Sequence, residues 1–325
     1  MKKLLSLLMV FVLMFTALGC SKNGSKGTSI GNTKVFASIA DDDKFKQTIV
    51  SGMESYADEN NVDLDVAIAH NNVETQVQQI KDAKTKGYDV IVCILVESDT
   101  AQQIINAAGD IPVIFTNVEP DSGRLKSDKY IYVGSDENEA AKYTFESLKE
   151  YFKDKKSFNA VLFEGSMDSK SASVRTESLK SQLKKNGFDV NYVFQDDAGW
   201  DREKAKKMFE AFLKLNVSYD CIISNNDEMA LGVIDAMEEN GIDPSKVPIL
   251  GLDATPEACK AISNGKMSFS IKQSGEGQGE SVIKAAQALK NGDKISEIEN
   301  GDSSGKYIWY PYSKVDKSNV QQYMR

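Results

Sequence analysis

From Thr33 onward, short apolar runs alternate with stretches whose apolar residues recur every three or four positions. The runs are Val35–Ala40, Val62–Ala69, Tyr88–Val96, Ile111–Val118, Tyr130–Gly134, Phe158–Glu164, Phe188–Phe194, Tyr219–Ser224, Val247–Leu252, Met267–Lys272 and a final Tyr307–Tyr312. Runs of this length rich in Val, Ile, Phe and Tyr predict strands. Between them, Phe45, Ile49, Met53 and Tyr56 share one helical face, as do Val77, Ile80 and Ala83, and Ala205, Met208, Phe209 and Phe212. Gly87, Gly187, Gly241, Gly265 and Gly292 follow such stretches, where a helix end favours a left-handed residue. Strands alternating with helices predict an α/β protein built from right-handed βαβ units and parallel sheets. There are more strands than one compact doubly wound domain usually holds, so two similar lobes are expected. No long linker separates them, which implies that the chain crosses between lobes at short strands.

The amino end reads differently. Lys2 and Lys3 precede an apolar stretch from Leu4 to Leu18, and Ala17-Leu18-Gly19-Cys20 follows. The stretch is short for a membrane span and has the flanks of an export signal. A cysteine after a small residue resembles a bacterial lipoprotein processing site, which implies a signal peptide over residues 1–19 and a lipid on Cys20. Residues 20–33 are then the lipidated cysteine and a flexible tether of Ser, Gly, Lys, Asn and Thr. The expected location is the extracytoplasmic face of the cell membrane, held by that lipid.

Composition narrows the function. The net charge is −9, and loss of Lys2 and Lys3 takes it to −11; no basic stripe is present, which argues against nucleic acid. Cys93 and Cys221 lie inside apolar runs, where a thiol acts as a small hydrophobe, and with Cys259 they leave an odd number for a disulfide framework. His70 is the only histidine, so zinc sites built on several histidines are excluded. At a strand end it reads as a rim or cap residue.

The chemistry gathers at the carboxyl ends of the runs, where open parallel sheets bind ligands. Asp41-Asp42-Asp43-Lys44-Phe45 follows the first run, and Asn117 closes the fourth. Ser169, Ser171 and Arg175 follow the Phe158 run, Trp200 the Phe188 run, and then come Asn225-Asn226-Asp227, Asp253 and Gln273. Planar amide, carboxylate and guanidinium groups each hold two hydroxyls, so the set suits a sugar. Phe45 and Trp200 could sandwich the apolar faces of a pyranose. Against each candidate stands a plainer role. Asp41 and Asp42 read as helix-cap or first-turn residues, and Asp43 could do the same. Asn117 could only turn the chain, Arg175 could make a surface ion pair, and Trp200 could be core. Glu119, Glu137 and Glu139 read as solvated.

At these residues the chain resembles the periplasmic galactose/glucose-binding proteins of the ribose-type sugar-binding family that feeds ABC transporters. The landmarks are Asp42-Asp43-Lys44-Phe45, Asn117-Val118-Glu119-Pro120, Tyr132-Val133-Gly134-Ser135-Asp136, Trp200-Asp201, Asn225 to Ala230, Gly251-Leu252-Asp253-Ala254 and Val315-Asp316-Lys317. The resemblance covers about residues 34 to 325. It implies a type I periplasmic binding fold: two Rossmann-like lobes joined by three hinge crossings, near Gly134–Ser135, Lys272–Gln273 and Tyr310–Pro311. Residues 34–134 plus 274–309 would form the N-terminal lobe, and 135–273 plus 310–325 the C-terminal lobe. It implies sugar contacts at Asp43, Phe45, Asn117, Arg175, Trp200, Asn226 and Asp253, with Gln273 where the galactose/glucose proteins have Asn. Ser169 and Ser171 stand where those proteins place a His and an Asp, so the identity of the sugar is open. The family's calcium loop is absent, since Lys153-Asp154-Lys155-Lys156-Ser157-Phe158 is too short and too basic for one.

The expected function is an extracytoplasmic sugar-binding lipoprotein that clamps a galactose- or glucose-like monosaccharide and delivers it to an ABC permease and its ATPase. No metal or cofactor is expected. A sensor that presents the sugar-bound form to a membrane kinase or chemoreceptor requires the same closed state and stays open as an alternative. A secreted carbohydrate-active enzyme with Asp43 and Asp253 as paired carboxylates is the weaker reading. Nothing resembles a nucleophile motif, a P-loop or a metal set, and Gly275-Glu276-Gly277-Gln278-Gly279 has the wrong spacing for a dinucleotide loop.

Overall fold

The computed structural model describes residues 32–166 and 169–324. The expected signal peptide, Cys20 and the tether up to residue 31 lie outside the described residues. In chain order the elements are β1 (Thr33–Ile39), α1 (Lys44–Glu59), β2 (Val62–Ile68), α2 (Val73–Lys86), β3 (Val90–Ile94), α3 (Ala101–Ala108), β4 (Val113–Thr116) and β5 (Tyr130–Gly134). Then come α4 (Glu137–Tyr151), β6 (Ser157–Glu164), α5 (Lys170–Lys185), β7 (Asp189–Asp197), α6 (Arg202–Leu213), β8 (Cys221–Ser224), α7 (Asp227–Glu239) and β9 (Ile249–Leu250). The chain ends with α8 (Pro256–Ser263), β10 (Phe269–Lys272), α9 (Gly275–Asn291), β11 (Tyr307–Trp309) and β12 (Ser313–Asp316).

The strands form two sheets with the same winding: β11-β5-β4-β3-β1-β2 and β12-β10-β9-β8-β6-β7. Strand neighbours run parallel apart from β10 and β12, which pair antiparallel with Phe269 opposite Asp316. Each sheet is covered on both faces, which is why its strands read as nearly continuous apolar runs. Along β1, Val35, Ala37 and Ile39 pack with α1 and α9, while Phe36 faces the layer of α2 and α3. In the second sheet Val161 and Phe163 pack with α6, α7 and α8, while Ala160 and Leu162 pack with α4 and α5. Cys93 and Cys221 are free and buried within these layers. All five of the expected helix-closing glycines have φ between 71° and 78°.

The chain passes between the sheets three times. After β5 it enters α4, which packs on the second sheet; after β10 it enters α9, which packs on the first. The last passage differs from expectation in detail. Tyr307–Tyr312 is not one strand: β11 ends at Trp309 on the first sheet, and β12 then joins the second as an antiparallel edge. The glycine-rich Gly275–Gly279 segment is the start of α9, pressed onto α1. A Cβ on Gly279 would lie 2.2 Å from the Ile49 carbonyl oxygen, and one on Gly52 2.2 Å from that of Glu276.

Candidate functional site

In both sheets the strand order reverses direction beside the first strand of the unit, at β1/β3 and at β6/β8. Crevices form at such points, at the carboxyl ends of the strands. A cavity of about 800 Å³ lies there, and all ten candidate residues line it. Asp43, Phe45 and Asn117 come from the first sheet's side; Ser169, Ser171, Arg175, Trp200, Asn226 and Asp253 come from the second; Gln273 sits in a passage between them. A smaller hollow of about 460 Å³ near Tyr151 and Lys314 lies at the other end of the second sheet and contains none of them.

On the first wall, Asp43 is the N-cap of α1. Its Oδ1 accepts the N–H of Phe45 at 2.9 Å and of Lys46 at 3.1 Å. One carboxylate oxygen is thus committed to the helix. Asp41 and Asp42 do not cap it, contrary to expectation. Asp41 instead pairs with Lys46 at 2.6 Å on the cavity wall, because the cap is already supplied two residues later. Burial raises the Asp41 carboxyl, but hydrogen bonds from Lys46 and the Asp43 N–H, with the Lys46 charge, leave it below its ordinary value. Asn117 turns the chain after β4 at φ 61°, a left-handed conformation that Asn tolerates, and its carbonyl accepts the Tyr132 hydroxyl.

The second wall is organised by Arg175, which is 9% exposed. Its guanidinium grips Glu137 with Nε–Oε2 at 2.5 Å and Nη2–Oε1 at 3.0 Å. Nη1 donates to the Asn225 carbonyl at 2.8 Å, Nη2 also reaches Gln273 Oε1 at 3.4 Å, and the group lies 5.5 Å from the Trp200 ring. Arg175 is therefore not a surface ion pair, and Glu137 is not a solvated residue. Glu137 follows the first passage between sheets and also accepts the hydroxyl of Tyr312, which ends the third, at 2.9 Å. Gln273 lies in the second passage, so one network touches all three. Burial alone would lower the Arg175 pKa, but Glu137 holds it above its ordinary value. Trp200 is both wall and core: its ring packs against the α6/α7 layer, and its φ is 66°.

Ser169 lines the cavity and caps α5, its Oγ accepting the Ala172 N–H at 3.4 Å. Its hydroxyl hydrogen stays available for a ligand. Asn226 caps α7 through Met229 N at 3.0 Å and donates to the Trp200 carbonyl at 3.4 Å.

Asp253 stands on a strained turn, with φ 119° there and 49° at Ala254. Such conformations persist only where neighbours over-determine them. The brace is Asp227, wholly buried, which the sequence places among the polar strand-tip residues but not among the sugar contacts. It accepts the Thr255 N–H at 2.8 Å and the Ser270 hydroxyl at 2.7 Å, and Ser270 Oγ accepts the Ala254 N–H at 3.0 Å. Burial pushes the Asp227 carboxyl up to about 6. Asp253 is raised well above its ordinary value by burial and then by Asp227; Arg175 opposes this, while Asp43 across the cleft and Glu137 add to it.

Among the described residues two ion pairs bridge the walls: Lys44 of α1 to Glu228 of α7 at 3.2 Å, and Glu119, after β4, to Lys170 of α5 at 2.9 Å. Glu119 is thereby tied down rather than solvated. Among the described residues, no three His, Cys, Asp or Glu side chains are grouped to hold a metal ion.

Two matching α/β lobes with polar strand tips facing one cleft define a two-lobed solute-binding protein. Residues 34–294 match the family described as periplasmic binding protein domain, and the chain belongs to that family. It is 29% identical over 286 residues to a putative rhizopine-binding protein from Rhizobium meliloti, covering 87% of this chain and 89% of the relative. It is 29% identical over 270 residues to the D-galactose/methyl-galactoside binding periplasmic protein of Haemophilus influenzae, covering 79% and 81%. Among solved structures, an ABC transporter solute binding protein from Bacillus halodurans with bound myo-inositol superposes with a TM-score of 0.79 at 27% identity, covering 92% of this chain and 99% of that one. These relatives are solute-binding proteins, not enzymes.

Proposed function

We propose that this chain is the extracytoplasmic sugar-binding component of an ABC transporter, anchored through a lipid on Cys20, and that it delivers a monosaccharide to a permease and its ATPase. In this reading, residues 34–134 plus 274–309 and residues 135–273 plus 310–325 close on the ligand as two bodies, the three passages serving as hinges. The observation that carries it is the convergence of side chains from the carboxyl ends of both sheets in one cavity. Asp43, Asn117, Asn226, Asp253, Arg175 and Gln273 hold hydroxyls, Phe45 and Trp200 cover the ring faces, and Ser169 and Ser171 act directly or through water. A relative named for a galactoside and a solved one holding myo-inositol support a polyol ring as ligand. Neutral hydrogen bonds contribute roughly 0.5–1.5 kcal/mol each and those to charged groups about 1.5–3. Several together reach the roughly 8 kcal/mol of micromolar affinity after ordering costs.

A thermal-shift panel of hexoses, pentoses and inositols tests the ligand, because a tight binder raises the unfolding midpoint by linkage. Asp43→Ala and Asp253→Ala should each weaken the best binder by about tenfold or more, each removing a charged hydrogen-bond partner. A panel without any shift overturns the sugar reading. Membrane fractionation tests the anchor: Cys20→Ala should release the protein, and retention would refute the lipid.

A further inference from the structure

The charge of the cavity goes further than its shape. Its described walls carry seven carboxylates and three cations. Every cation is already taken: Lys46 by Asp41, Lys170 by Glu119 and Arg175 by Glu137. The Arg175 grip matters most. Glu137 Oε2 and Oε1 occupy the Nε/Nη2 edge of the guanidinium, Nη1 donates to the Asn225 carbonyl and Nη2 also reaches Gln273 Oε1, so no edge is left for a ligand carboxylate or phosphate. Asp43 and Asp253, by contrast, have no cationic partner in an ion pair among the described residues, and they face the same space from opposite walls. Glu97 and Asp99 at the rim add two more unpaired carboxylates.

We propose that the ligand is a polyol ring bearing one protonated amine, an amino sugar or amino cyclitol, whose ammonium group lies between Asp43 and Asp253. This rests on the polyol reading above and specifies its chemistry. An ammonium presents three donors. Asp43 Oδ1 is committed to the α1 cap, which leaves Oδ2 for the ligand, and the Asp253 side chain has no hydrogen bond among the described residues. Charge-assisted bonds to two carboxylates are about twice as strong as neutral ones. Closing the lobes on a neutral ligand brings Asp43 and Asp253 together in a drier space, where like charges repel more strongly; a cation between them reverses that sign. Burial and then Asp227 raise the Asp253 carboxyl well above its ordinary value, and Asp43 adds a smaller push from across the cleft.

The rest of the cavity remains a polyol site rather than a bare cation trap. Gln273, 6% exposed, lines it with its Oε1 accepting from Arg175 and its amide NH2 without a partner among the described residues. That donor, with the Ser169 hydroxyl, faces neutral ligand oxygens. The same inventory disfavours an anionic sugar, since among the described residues no unpaired cation lines the cavity.

The test is isothermal titration of the purified protein with hexoses, pentoses and inositols, each beside its mono-amino counterpart and the N-acetylated form of that amine. At least one free amine should bind tenfold or more tighter than both its hydroxyl parent and its N-acetyl form. Raised salt should narrow the gap. Asp253→Asn and Asp43→Asn should each bring the amine-to-hydroxyl ratio to within about threefold, with unfolding midpoints confirming folded protein. If the best hydroxyl parent binds as well as any amine, the inference falls and the neutral-sugar reading stands. If no polyol of either kind binds, both fall.

Discussion

Replacing Glu137 with Gln tests whether the site is held together by its buried ion pair. The side chains of Arg175 and Glu137 are 10% and 14% exposed, and the carboxylate accepts two guanidinium N–H groups and the Tyr312 hydroxyl. Removing one member of a buried pair costs about 3–5 kcal/mol, because the other charge stays buried without compensation. Gln keeps one acceptor oxygen, and Arg175 keeps the Asn225 carbonyl and Gln273 Oε1. The loss should therefore fall near the lower limit, about 3 kcal/mol. Urea unfolding of the ligand-free protein reads this directly, and for a chain of this size the thermal midpoint should fall by on the order of 5–10 °C. A Glu137→Leu, Arg175→Met double variant should recover much of the loss, since well-packed apolar pairs replace buried ion pairs at little cost. A loss under about 0.5 kcal/mol for Glu137→Gln would refute the claim that this pair organises the wall.

Other expectations follow from neighbouring features. The Asp227 carboxyl, ordinarily near 3.8 and pushed up to about 6 by burial, holds its proton more tightly folded than unfolded. Its stabilising effect, about 3 kcal/mol, is fully present below about pH 4 and is lost as pH rises through about 6. The ligand-free unfolding midpoint should therefore fall between about pH 4 and 6, and Asp227→Asn should flatten that fall; an unchanged slope would contradict the assignment. Gly279→Ala would set a Cβ 2.2 Å from the Ile49 carbonyl oxygen and 2.6 Å from Met53 N, both backbone atoms that no rotamer relieves. It should cost about 1–3 kcal/mol by urea titration, and wild-type stability would show that α1 and α9 can separate freely. Lys44→Gln with Lys170→Gln removes both pairs that bridge the walls, each worth about 0–1 kcal/mol at the surface. Small-angle scattering should show a larger radius for the ligand-free variant, and an identical profile would mean that the pairs do not bias closure.

The architecture was legible in the chain because two covered sheets leave a strong periodic signal. The apolar runs, the helical faces of Ile49 and Met53 or Phe209 and Phe212, and the glycine stops all report local backbone geometry. The strand β12 was not legible: Ser313-Lys314-Val315-Asp316 has one apolar residue, because only Val315 is buried on this edge. Nor does hydropathy mark the point at Tyr310 where the chain leaves one sheet for the other. The ten candidate residues could be named because strand tips are fixed by topology and their motif order carries a resemblance. The supporting roles of Glu137 and Asp227 escaped for a common reason. Each opens a helix, where an acidic residue is ordinarily a solvated partner of the helix dipole. Only tertiary packing tells that one lies against Arg175 and the other beneath the Asp253 turn.

The path of the chain also sets when the molecule can exist. The first sheet receives β11 and the second β12 from residues 307–316, after every other element has been made. Helix α9, which packs on α1, also arrives late, joining segments more than 200 residues apart. Neither half can be finished while the carboxyl end is still being synthesised or threaded through a pore. Such long-range closure slows folding and makes it depend on the whole chain. For an exported protein this works as a timer: the polypeptide stays incomplete, and so threadable, until its final segment emerges, and both halves are then completed by one stretch of chain.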